Sequence, residues 1–115
     1  MISDRRAWRA RNLPESEASA FWERYDSSDD WSREIKTVRD VQTLFSFGIE
    51  FSASYNGINA FLCPCNGYAI DAKNVETGET YEYVADDLDE FGRDAKFGPY
   101  PLADVIGKWK IGWHA

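Results

Sequence analysis

Residues 49–63 read IEFSASYNGINAFLC, and they confine the fold more than any other stretch of the chain. Asn56-Gly57 is the strongest short signal for a primed two-residue turn, whose central positions need positive φ. Set as a hairpin, that turn pairs Tyr55 with Ile58, Ala53 with Ala60 and Phe51 with Leu62. One face of the ribbon is then wholly apolar, while the other carries Glu50, Ser52, Ser54, Asn59, Phe61 and Cys63. Turn chemistry and burial pattern demand the same register, since a slip of one residue would turn the apolar set toward water.

The next two turns extend the sheet. A two-residue turn at Asn66-Gly67 would put Ile70 and Ala72 on the polar face. A three-residue loop, Cys65-Asn66-Gly67 with Gly67 left-handed, instead pairs Ile70 with Leu62 and Ala72 with Ala60, and it is the predicted form. A two-residue loop at Thr77-Gly78 pairs Lys73 with Glu82 as opposite charges and places Tyr81, Tyr83 and Ala85 on the Ile70/Ala72 face. The expected sheet is a four-stranded antiparallel meander over 49–55, 58–63, 68–75 and 80–85.

A sheet with one apolar face needs a cover. In NLPESEASAFWERY, Pro14 suits a first helical turn, Glu15 and Glu17 complement its positive end, and Phe21, Trp22 and Tyr25 fall at helical spacing. A second helix is predicted to start at Ser28 or Asp29 and to run through Trp31, Ile35, Val38, Val41 or Gln42, and Phe45 to Gly48. DDLDEFG reads as one acid-capped helical turn with Leu88 and Phe91 inward, ended by Gly92. PLADVIGKW permits a short helix from Pro101, and the tail KWKIGWHA alternates as an edge strand would. The fold class is therefore α+β: two N-terminal helices packed on a four-stranded antiparallel meander, with a short helical C-terminal segment. A length of 115 residues suits a single domain spanning 1–115. Within it, residues 1–11, MISDRRAWRAR, form a basic arm that SDRRAWRARN could fold as a short helix capped by Ser3.

Charge is unevenly spread. The arm holds four Arg and one Asp, or +3, leaving nine cations and nineteen anions, or −10, in the rest of the chain. A body of that sign repels phosphates and attracts basic proteins, so direct nucleic-acid binding is disfavoured except through the arm. The N-terminus has no apolar stretch fit for a signal-peptide core and no run approaches a membrane span, so a cytoplasmic location is expected, the cytosol of an infected cell included.

Several chemistries lack their residues. There is no G-x-x-x-x-G-K-[ST], no G-x-G-x-x-G and no H-E-x-x-H. The one histidine, His114, is penultimate, which leaves a Cys-His or Ser-His nucleophile pair poorly founded. In an extended strand Cys63 and Cys65 would have Cα atoms roughly 7 Å apart, at or past the limit of a relaxed disulfide, so two free thiols are expected, with a strained or switchable C-x-C bridge as the alternative. Zinc would need donors beyond Cys63, Cys65 and His114, and C-x-C is shorter than the usual spacing, so neither metal nor cofactor is expected.

What remains is acid. Residues 76–94, ETGETYEYVADDLDEFGRD, carry Glu76, Glu79, Glu82, Asp86, Asp87, Asp89, Glu90 and Asp94 against the single cation Arg93. With Phe61, an aromatic on the polar face, they are the candidate partner-binding residues. The first functional expectation is a non-enzymatic acidic protein that occludes a basic surface on a nuclease or nucleoprotein complex. Anti-CRISPR and anti-restriction proteins and toxin immunity proteins are inhibitors of that kind. The second is an accessory interaction subunit whose acids only solvate it. The third is a small carboxylate-dependent hydrolase, which needs two acids converging in an apolar cleft.

Overall fold

A computed structural model describes residues 15–27, 34–65 and 67–114. The basic arm with Ser3 and Trp8, the proposed helix start at Ser28 to Trp31, and Asn66 lie outside the described residues. In chain order the elements are α1 (Glu15–Ser27), α2 (Val38–Ser46), β1 (Phe51–Tyr55), β2 (Ile58–Cys63), β3 (Tyr68–Asn74), β4 (Thr80–Ala85), α3 (Leu88–Asp94), β5 (Lys96–Phe97), β6 (Tyr100–Pro101), α4 (Leu102–Val105) and β7 (Lys110–His114). The class is α+β, with one antiparallel sheet ordered β4-β3-β2-β1-β7 and a small β5-β6 ribbon.

The first hairpin has the register that its turn dictates: Tyr55 faces Ile58, Ala53 faces Ala60 and Phe51 faces Leu62. Asn56 and Gly57 have φ of 49° and 79°, the left-handed pair of a primed turn. In the second hairpin Leu62 faces Ile70 and Ala60 faces Ala72, with Gly67 at φ 104°. The third hairpin departs from expectation. Lys73 faces Thr80, and Glu82 faces Asp71 rather than Lys73. The loop is four residues long because Asn74 closes it, taking the N–H groups of Glu76 and Thr77 on its side-chain oxygen while its backbone pairs with Glu79. The shift is two residues, so Tyr81, Tyr83 and Ala85 keep the inner face and only the cross-strand partners change.

The sheet has five strands rather than four. Lys110–His114 pairs antiparallel with β1, setting Ser54 opposite Lys110 and Ala53 opposite Ile111. The alternation in the tail is thus a strand pattern, and only Leu102–Val105 of the expected C-terminal helix is helical.

The second helix also differs. It begins at Val38, because Thr37 caps it by accepting from Asp40 N–H while the Asp40 carboxylate accepts from the backbone of Lys36 and Thr37. Ile35 therefore precedes the helix, although it is buried with the core. Arg24 of α1 reaches the same cap, 3.4 Å from Asp40 and 3.2 Å from Glu34, and lies over the Phe21 ring.

The core lies between the inner sheet face and its cover. Phe45 of α2 meets Phe91 of α3 and Tyr68 of β3, with ring centroids 5.0 and 5.9 Å apart. Gln42, also buried, donates to the Leu88 carbonyl at 2.6 Å, and Gly92 makes room for it, since a Cβ there would fall 2.5 Å from Gln42 Nε2. Gly92 thus sits inside α3 rather than ending it. The segment after α3 covers the rest of the sheet: Phe97 is fully buried, Trp109 sets its ring edge against Phe51, and Gly98 approaches Ile58 and Ala72.

Candidate functional site

Edge strand β4 and the helix that follows it position the acids. The strand carries Glu82 and Val84 on its outer face, because Tyr81, Tyr83 and Ala85 take the inner one. At its N-terminal end the four-residue loop holds Glu76 in solvent, and Glu79, which closes the loop, is exposed beside it. At its C-terminal end Asp86, Asp87, Asp89, Glu90 and Asp94 surround α3. Six strand residues separate the two ends by about 20 Å. Of the eight carboxylates, two lie at the N-terminal end of β4, Glu82 stands on its outer face and five lie at its C-terminal end.

Some of these acids also serve the fold. Asp87 caps α3 by accepting from Glu90 N–H at 2.7 Å, and Glu90 accepts from Asp86 N–H at 3.3 Å. Tyr81 donates its hydroxyl to Glu79 at 3.0 Å, and that hydrogen bond is the main reason its phenol titrates above the ordinary tyrosine value. Tyr83 is also shifted up, first by burial and then by the carboxylates of Glu90 and Asp94. Among the described residues, no cation forms a salt bridge with any of the eight acids; those ion pairs belong to Arg24.

Two residues of this edge escaped the sequence reading. Asp71 faces Glu82 across β3 and β4, a like-charge pair bordering an open depression of about 480 Å³ that Lys73 and Thr80 share. Val84 stands 51% exposed on the outer face of β4, next to the turn at Gly67. Alternation from Tyr83 was the signal for Val84; Asp71 was hidden by the misplaced turn. Phe61 lies on the outer face between Ser52 and Asp71, half-buried and away from the acidic helix.

The C-x-C pair is a second cluster. Cys63 and Cys65 have Cα atoms 5.3 Å apart, and their sulfurs stand as a disulfide, against the expectation of free thiols. The cause is local: Cys63 ends β2 and the chain turns at Pro64, so the extended-strand spacing does not apply. Glu50 brings one carboxylate oxygen to 3.3 Å from Cys63 Sγ and 3.7 Å from Cys65 Sγ.

Among the described residues Asp40 is the buried acid, and the α2 cap engages it, whereas Asp71 and Glu82 border an open depression. No described helix is long and apolar enough to cross a membrane. Neither a family model, nor a curated protein, nor a solved structure matches this chain.

Proposed function

We propose that this protein is a non-enzymatic acidic binding protein that uses the β4–α3 edge to occlude a basic, nucleic-acid-handling surface on another protein, as anti-CRISPR, anti-restriction and immunity proteins do. The observation that carries this reading is the run of eight exposed or half-exposed carboxylates without one salt bridge among the described residues. Like charges held together repel, and a Lys- or Arg-rich partner relieves that repulsion as it docks. Val84 supplies an apolar contact inside a charged rim, the arrangement of many protein interfaces.

The test is a comparison of two baits in affinity capture from host lysate, the parent chain and a triple variant with Asp86→Asn, Asp87→Asn and Asp89→Asn. Asparagine keeps the cap at position 87, so the variant removes charge and leaves α3 capped. The parent should retain nucleases or nucleoprotein complexes that elute as salt rises, and the variant should not. Equal retention by both baits, insensitive to salt, would reduce the acids to solvation and favour the accessory-subunit reading.

A further inference from the structure

We propose that Glu50, Cys63 and Cys65 form, in the reduced protein, a three-donor site for a thiophilic divalent cation, Zn²⁺. Sequence spacing supplies two sulfurs, and the fold supplies the third donor. Glu50 immediately precedes β1, whose neighbour β2 ends at Cys63, so the first hairpin delivers carboxylate and sulfur to the same end of the sheet. The three donor atoms all lie within 4.8 Å of one another.

The distances fit the cation. A tetrahedral zinc with Zn–S of about 2.3 Å and Zn–O of about 2.0 Å sets its sulfur and oxygen donors about 3.5 Å apart. The two sulfur-to-oxygen distances here, 3.3 and 3.7 Å, bracket that edge length. The two sulfurs must separate to about 3.8 Å to complete the same tetrahedron. Cys65 can provide that movement by side-chain rotation, since it is exposed while Cys63 is 4% exposed and held by β2.

The position of Glu50 is the independent clue. A disulfide sulfur has no proton to donate, so in the oxidised state the carboxylate faces two atoms that offer it no hydrogen bond. In the reduced state it faces two thiols, and Zn²⁺ replaces their two protons, which pass to solvent, leaving two thiolates and one carboxylate on the metal. Forming the disulfide gives up two electrons to an oxidant and with them the two thiolate charges that the metal needs, so each state excludes the other. A fourth position on the cation stays open to water or to a donor from a partner.

The experiment uses the full chain reduced with a phosphine and kept free of oxygen, titrated with Zn²⁺ against a chromogenic chelator and with Co²⁺ as a spectroscopic probe. One Zn²⁺ should bind per chain, Co²⁺ should show thiolate charge-transfer absorption, and Zn²⁺ should raise the thermal midpoint. Cys65→Ser removes an exposed donor without opening the core, and losing a direct ligand should weaken binding by more than about 100-fold, beyond the effect of an outer-shell change. Glu50→Gln exchanges a charged oxygen donor for a weaker neutral one, so it should weaken binding measurably but less than Cys65→Ser does, and leave the thiolate bands in place. The disulfide form should bind no metal. Failure to bind one equivalent, or affinity unchanged in either variant, would overturn the site.

Discussion

Asp71 and Glu82 stand directly opposite one another on the outer face of β3 and β4, and among the described residues neither forms a salt bridge. Paired like charges cost a sheet stability, and through Glu82 this pair belongs to the acidic edge for which a binding function is proposed. Glu82→Gln should therefore raise the stability of the isolated protein by about 0.2–1 kcal/mol. Urea denaturation at low ionic strength measures it, and the gain should shrink as salt is added. A loss of stability would mean that Lys73 already offsets the pair.

The turns offer a graded test. Gly57 has φ 79° with open space where a Cβ would be, so Gly57→Ala should cost about 1 kcal/mol through backbone strain alone. Gly67 has φ 104° and a Cβ there would meet the Ala85 carbonyl at 2.9 Å, so Gly67→Ala should cost more. The order of thermal midpoints, parent above Gly57→Ala above Gly67→Ala, is the expected outcome. The reverse order would remove the close approach of the second turn to β4.

Asp40 is the pivot of the α1–α2 junction, accepting from two backbone N–H groups and from Arg24. Asp40→Ala should cost about 2 kcal/mol, the upper end of the range for a lost cap. Asp40→Asn retains an accepting oxygen and should cost distinctly less. Equal losses in the two variants, read by urea denaturation, would assign the stability to the carboxylate charge rather than to the cap.

Tyrosine titration reads the acidic edge from within. Glu79→Gln removes the carboxylate that holds the Tyr81 proton, so the Tyr81 phenol should ionise at lower pH than in the parent. Tyr83 should not follow, because burial is its main cause. The folded chain keeps the Tyr83 proton above the ordinary value of 10.0, so the unfolded chain loses its proton first as pH rises. The contribution of Tyr83 to stability is thus whole below pH 10 and is lost as pH climbs through the raised value. Ring resonances followed by NMR through the alkaline range test both statements.

The first two hairpins were legible because turn residues and face alternation constrained the same register. The third was legible in its faces but not in its partners: ETGE resembles a tight turn, whereas Asn74, outside those four residues, closes a longer loop through its side chain. A shift of two conserves the faces and so leaves no trace in the hydrophobic pattern. The α2 start was obscured by an apolar stripe that continues upstream through Ile35, while Thr37 and Asp40 carried the overlooked capping signal. Glu50 could not be joined to Cys63 and Cys65 from spacing alone, since the hairpin and the turn after Cys63 bring the three together.

In the proposed function the acidic edge takes the place of nucleic acid on a basic partner. The most direct measurement follows a fluorescently labelled duplex, pre-bound to the captured nuclease or nucleoprotein, by anisotropy as this chain is added at low and moderate salt. The parent should displace the duplex completely at about one chain per partner site, and the Asp86→Asn, Asp87→Asn, Asp89→Asn variant should need a large excess. A stable ternary complex in which partner, duplex and this chain remain together would contradict the account.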